Sequence, residues 1–192
     1  MSAKDILHAH LAQTITLTDV QFDYCFSHFN SISLQKGQVL ITAGDRVDSE
    51  FFVTSGCLKS FYINEDMKMF VLQFAMRNWW TSDYAALYNG TPASINVDCV
   101  LDADVLSITN NDREKLCKEI HAIEHFFRIR TNKGYVASQK RLLSTMNNNV
   151  RARYEELIRQ YPDLYQLLPK TLIAAYLGVS RETLSRLYND EK

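Results

Sequence analysis

Arg181, Glu182, Ser185 and Arg186 lie close together in the segment Lys170 to Asn189, which reads KTLIAAYLGVSRETLSRLYN. Their chemistry matches the edges of DNA base pairs. A guanidinium can donate two parallel hydrogen bonds to guanine O6 and N7, and a carboxylate can accept from cytosine N4. Hydroxyls such as those of Ser180 and Thr183 can hold phosphate oxygens. Spacing decides whether such groups act together. Leu184 and Leu187, three apart, hold one side of a helix that opens at Ser180, a good N-cap hydroxyl, and this leaves the polar set outward. The helix before it carries Leu172, Ile173 and Leu177. Ala174 and Ala175 are small enough to let the second helix approach, and Gly178 supplies the positive φ that the turn demands. This is the spacing of a helix-turn-helix, whose recognition helix puts its first turns into the major groove. The competing reading is an ordinary solvated face, since Arg and Glu are common on surfaces.

The rest of the chain must position that segment. At 192 residues it is one large domain or two small ones, long enough to bury a real core. A net charge of −1 excludes a globally basic nucleic-acid coat. From Arg141 onward there are eight Lys or Arg against six Asp or Glu, a slight local excess only. Cys25, Cys57, Cys99 and Cys117 form no CxxC pair. They read as buried thiols of a reducing compartment, not as a disulfide frame, a zinc site or an iron-sulfur cluster. No apolar run reaches membrane-spanning length and MSAKDILHAH lacks a signal-peptide core, so the expected location is the cytoplasm, with no membrane partner.

From Lys4 to Phe29 the pattern predicts two helices. Ile6, Leu7 and Leu11 form one stripe, and Thr18 to Gln21 is a capping box before Phe22, Cys25, Phe26 and Phe29. From Ile32 to about Asn110, short runs rich in Val, Ile, Phe and Tyr alternate with turn signals at Gly37, Gly44-Asp45, Gly56, Asn64 to Asp66 and Asn89-Gly90. This rhythm predicts an all-β barrel or sandwich with strands at Gln38 to Thr42, Ser49 to Thr54, Leu58 to Ile63, Lys68 to Phe74, Ser94 to Val100 and Asp104 to Thr109. After Asn111 the period turns helical. A helix at about Asp112 to Lys118 precedes a long one from near Ala122 to Met146, where Ile129, Val136 and Leu143 recur every seven residues as a coiled-coil-like seam. Packing of that stripe on the chain's own barrel is the alternative. Asn147 to Asn149 is a poor helix interior, and Asn149 is a good N-cap for the helix VRARYEELIRQY, so a hinge is expected there.

The barrel, seam helix, Asn hinge, Arg153-Tyr-Glu-Glu-Leu-Ile-Arg-Gln-Tyr-Pro162 and above all Ile173 to Arg186 together resemble the Crp/Fnr family of bacterial transcription regulators. The resemblance implies an α+β chain: a double-stranded, jelly-roll-like β-roll sensor domain over 1–119, a dimerisation helix and hinge over 120–148, and an all-α helix-turn-helix domain over 149–192. It implies a homodimer that presents two recognition helices to a palindromic operator on double-stranded DNA, with RNA polymerase as a further partner. Arg181, Glu182 and Arg186 take base-reading positions, and Ser180 and Thr183 phosphate contacts. An effector in the roll, or a constitutive packing there, would set the angle of the recognition helices through seam and hinge. Members usually continue into a β-hairpin wing. This sequence ends at Lys192, so specificity is expected to rest on the recognition helix.

By the same resemblance, cyclic-nucleotide members use a Phe-Gly-Glu turn for the ribose and an Arg-Ser or Arg-Thr pair for the cyclic phosphate. The matching stretch here is Trp80 to Ser94. Asp83 stands for the glutamate, Ser82 replaces the glycine, and Ala93 falls where the arginine belongs, leaving only Ser94 of the pair. Ser138 and Gln139 lie near the position that touches the base. The expectation is a degenerate pocket that does not bind cyclic AMP or cyclic GMP in the usual mode, with an unknown effector or none. Trp79, Trp80, Tyr84 and Tyr88 read as core or as filler of that pocket. His121 and His125, four apart, lack a third metal ligand, and the roll has no histidine for a cupin-type metal site. No catalytic constellation is present in the sequence, so neither an enzyme nor a cofactor is expected. The alternative is a ligand-binding or protein-interaction module with a degenerate helix-turn-helix.

Overall fold

The computed structural model describes residues 1–160, 162 and 167–189, with the side chains of 160 and 187–189 outside the description. Two compact units divide the chain: Met1–Tyr62 with Gln73–Thr131, and Ile63–Leu72 with Asn132–Lys192.

In the first unit the opening helices α1 (Ala3–Ala12) and α2 (Asp19–Phe26) each begin with a capping box, Ser2 with Asp5 and Thr18 with Gln21, the second as expected. The strands are β1 (Asn30–Leu34), β2 (Val39–Ile41), β3 (Ser49–Ile63), β4 (Met69–Met76), β5 (Trp80–Thr81) and β6 (Asn96–Thr109). They form one antiparallel sheet ordered β1-β6-β3-β4, with β2 also pairing β6 and β5 pairing β3. A short helix, α3 (Tyr84–Asn89), lies between β5 and β6, and α4 (Asn110–Glu119) and α5 (His121–Asn147) follow.

This corrects the strand list. Ser49 to Thr54 and Leu58 to Ile63 are one strand, and so are most of Ser94 to Val100 and Asp104 to Thr109. Gly56, read as a turn, is instead part of an irregular stretch of β3 where the pairing with β6 slips. Its φ is +78°, and a Cβ there would stand 2.1 Å from the Asp102 carbonyl oxygen. Two long strands therefore cross at a point where only hydrogen fits. Gly56→Ala is expected to lower the thermal midpoint by at least about 4 °C in a melting experiment, because both the close approach and the positive φ must be relieved. The strands β1 and β5 were not anticipated, one being mostly polar and the other only two residues long.

Strand alternation splits the apolar side chains into two clusters. Phe52, Leu106 and Ile108 pack with Leu7, Leu11, Phe22, Leu116, Ile123, Phe126 and Phe127 from the helices. Phe51, Val53, Val105 and Ala103 join Leu34, Val47, Leu58, Ala86, Leu87, Ala93 and Val97. All four cysteines are free; Cys25, Cys57 and Cys99 are buried and Cys117 half-buried. Burial pushes the thiols of Cys25 and Cys57 up to about 12, so they stay protonated packing groups at neutral pH.

In the second unit, the tip of the β3–β4 hairpin turns at Asn64 to Lys68, where Asn64 N–H donates to the Lys68 carbonyl at 3.1 Å. The α5 helix stops at Asn147, and Asn149 accepts from Ala152 N–H at 2.9 Å to start α6 (Val150–Gln160), so the expected break is present. Ser144 donates across it to Glu156 at 2.7 Å. Two helices follow, α7 (Lys170–Leu177) and α8 (Arg181–Asn189), joined at Gly178 with φ +71°. Both α6 and α8 contact α7. Tyr154, Leu157, Ile173, Ala174, Leu177 and Leu184 are buried between them. The expected packing of Leu187, and Tyr161 in the segment ending at Pro162, lie outside the described residues. Arg141, not singled out in the sequence, donates to the carbonyls of Val71 at 2.8 Å and Tyr176 at 3.2 Å. Its guanidinium also stacks on the Tyr176 ring at 3.9 Å.

Candidate functional site

Between β5 and β6 the chain folds back on a single carboxylate. Asp83 is buried, and its Oδ1 accepts from Ala86 N–H at 3.0 Å to cap α3. Its Oδ2 accepts from Ser94 N–H at 2.7 Å, Ser94 hydroxyl at 3.0 Å and Ile95 N–H at 3.2 Å. Burial raises the cost of ionising Asp83, but the hydrogen bonds from Ala86, Ser94 and Ile95 outweigh it and hold the carboxyl below its ordinary range. This group therefore adds stability that is fully present above the ordinary carboxylate pKa and lost as pH falls through the lowered one. Ser82 donates to the Ser49 carbonyl at 2.8 Å. Ala93 is buried in the apolar cluster, its N–H donating to the Asp45 carbonyl and its carbonyl accepting from Gly44 N–H, both at 2.8 Å. A methyl among apolar neighbours thus stands at the position compared with the phosphate-binding arginine.

Asp83 and Ser94 are joined by these hydrogen bonds, and Ser82 and Ala93 are their chain neighbours. Ser138 and Gln139 are exposed on the part of α5 that belongs to the second unit. A cleft of about 140 Å³, lined by residues that include Asp45, Arg46, Asp48 and Phe51, contains none of these pocket residues. It is smaller than the roughly 300 Å³ at which small-molecule pockets begin.

A second charged cluster went unnoticed in the sequence. Glu50 is fully buried on β3; its Oε2 accepts from Arg130 Nη2 at 2.6 Å, and Arg113 Nη1 lies 3.9 Å from its Oε1. The Arg130 guanidinium stacks over Trp80 at 4.5 Å and Phe127 at 5.0 Å. Arg113 stacks over Tyr88 at 4.8 Å and donates to its hydroxyl. Trp80 is therefore core and a platform for Arg130, and Tyr84 and Tyr88 stack on each other 6.1 Å apart. The available signal was a carboxylate inside an apolar strand, Ser-Glu-Phe-Phe-Val, which demands a buried partner.

On α8 the described side chains divide by exposure. Ser180, Arg181, Glu182, Thr183, Ser185 and Arg186 are exposed while Leu184 is completely buried. Ser180 Oγ accepts from Thr183 N–H at 3.2 Å and contacts the Thr183 hydroxyl, so both hydroxyls are engaged in starting the helix. Along α5, Val136 and Leu143 of the seam are exposed, as are Tyr135, Leu142 and Met146, while Ile129 is half-buried. His125 Nδ1 lies 2.8 Å from Arg128 Nη2, and among the described residues no three His, Cys, Asp or Glu side chains gather as a metal site. Among the described residues, no helix is long and apolar enough to cross a membrane.

Residues 31–120 match the family described as cyclic nucleotide-binding domain. No curated protein sequence matches the chain. Among solved structures, the c-di-GMP responsive global regulator CLP of Xanthomonas campestris is similar with a TM-score of 0.73 at 11% identity, over 90% of this chain and 91% of that one. FixK2 of Bradyrhizobium japonicum gives 0.72 at 14% identity, over 84% and 83%. A transcriptional regulator of the Crp/Fnr family from Eubacterium rectale gives 0.69 at 12% identity, over 89% and 82%. At such identities it is the fold that is shared. Residues 31–120 are thus similar to the cyclic nucleotide-binding domain family, in a chain that shares its fold with these solved regulators.

Proposed function

We propose that the chain is a homodimeric, cytoplasmic, sequence-specific DNA-binding transcription regulator. Its first unit acts as the sensor, and α7 and α8 form a helix-turn-helix. The observation that carries this reading is the exposed row Arg181, Glu182, Ser185 and Arg186 above the buried Leu184, on a helix packed against α7 through the Gly178 turn. Such a face enters the major groove by its first turns. A second copy covers the exposed Tyr135, Val136, Leu142, Leu143 and Met146 of α5, and the resulting two-fold matches two half-sites about one helical turn apart. RNA polymerase is the further partner of such a regulator, and this reading calls for no catalysis. Selection of bound sequences from random DNA, with and without cell extract, tests it. A palindromic sequence bound in a salt-dependent manner is the expected product. No enrichment leaves the alternative, a ligand-binding or protein-interaction module with a degenerate helix-turn-helix.

The sensor does not take cyclic AMP or cyclic GMP in the family's usual mode. Ala93 offers no guanidinium, and the loss of a charge-assisted contact costs about 2–5 kcal/mol, or roughly thirty- to several-thousand-fold in affinity. Calorimetry is expected to give no binding heat with either nucleotide at concentrations up to about 100 μM; binding at micromolar strength or tighter overturns this.

A further inference from the structure

The geometry points to an oxyanion cradle in the turn between α3 and β6 that the protein fills with its own Asp83 carboxylate, so that this turn is held in an anion-bound arrangement in every molecule without a diffusible effector. Helix capping accounts for only one of the four hydrogen bonds, that from Ala86 N–H to Oδ1. The other three converge on Oδ2 from a segment eleven and twelve residues further on: two consecutive backbone N–H groups, Ser94 and Ile95, and the Ser94 hydroxyl. Consecutive N–H groups aimed at one oxygen, with a hydroxyl beside them, are the donor set that proteins present to free carboxylates and phosphates. Among the described residues no cationic side chain donates to Asp83, and the donors that meet its charge are dipoles.

Tethering makes the occupation permanent. An internal carboxylate competes at an effective concentration that millimolar free anions cannot approach. Ala93, immediately before the cradle, is sealed in the apolar cluster and anchored by backbone bonds to Gly44 and Asp45, so the turn is fixed on the side that precedes its donors. This inference concerns the first unit alone and stands whether or not α8 binds DNA.

Removing the internal anion opens the cradle to an external one. Asp83→Ala is expected to lower the thermal midpoint by roughly 4 to 8 °C. Sodium formate at 100 mM restores at least half of that loss, whereas sodium chloride at equal ionic strength restores none and the wild type gains nothing from formate. Inorganic phosphate in a parallel arm separates a site that takes only a carboxylate from one that takes oxyanions generally. The proposal is overturned if the variant melts with the wild type, or if formate and phosphate raise its midpoint no more than chloride does. Should Asp83→Ala fail to fold, nuclear magnetic resonance of the wild type decides. The amide protons of Ser94 and Ile95 are expected to shift together in one acid titration that follows the Asp83 carboxyl, and independence of those signals from it overturns the proposal.

Discussion

Arg181→Ala combined with Arg186→Ala is expected to weaken binding to the selected DNA sequence by roughly thirty-fold to ten-thousand-fold while leaving the thermal midpoint unchanged. The magnitude follows from two bidentate guanine contacts at about 1–3 kcal/mol each. The unchanged midpoint follows from exposure: both side chains are exposed, whereas Leu184, Ile173 and Leu177 are buried. Base reading and phosphate binding leave different signatures. If these arginines read bases, their loss removes discrimination between the selected and scrambled sequences. If they touch only phosphates, both sequences weaken alike and the salt dependence flattens. Lysine at the same positions is expected to recover charge but little selectivity, because an ammonium cannot make the paired contact. A folded double variant that binds within about three-fold of wild type ends the base-reading role.

The second large effect lies in the core of the first unit. Glu50→Ala is expected to cost about 3–5 kcal/mol and to lower the melting midpoint by roughly 6 to 20 °C, because it leaves Arg130 inside the molecule without its counter-charge and Arg113 with Glu114 alone. Partnership is tested by the double variant Glu50→Ala with Arg130→Met. The thioether chain keeps apolar contact with Trp80 and Phe127 while removing the stranded charge, so the pair is expected to melt above Glu50→Ala alone. A Glu50→Ala protein that melts within about 2 °C of wild type rejects this account.

Local chemistry was the most legible in the sequence. The Thr18 box, the Asn149 and Ser180 caps and the positive φ at Gly178 depend on residues within a turn of one another, and each is present. Gly56 shows where the reasoning fails: a glycine between two apolar runs reads equally as a turn or as a close crossing, and only the neighbouring strand at Asp102 and Ala103 distinguishes them. Glu50 fails differently. Its partner Arg130 is eighty residues away, and nothing local marks which arginine turns inward. At Asp83 the resemblance marked the position, as the counterpart of a ribose-binding glutamate in a degenerate pocket, but not its contacts, because the donors of Ser94 and Ile95 lie eleven and twelve residues further on.

Arg141 carries a consequence for how the second unit breathes. One guanidinium donates to the carbonyl of Val71, on the second-unit end of β4, and to that of Tyr176 on α7. Opening either segment breaks a hydrogen bond to a shared charged donor, so the two are coupled although they lie far apart in sequence. In hydrogen-exchange terms this part of the hairpin belongs to the same cooperative block as the helix that supports Arg181 and Arg186.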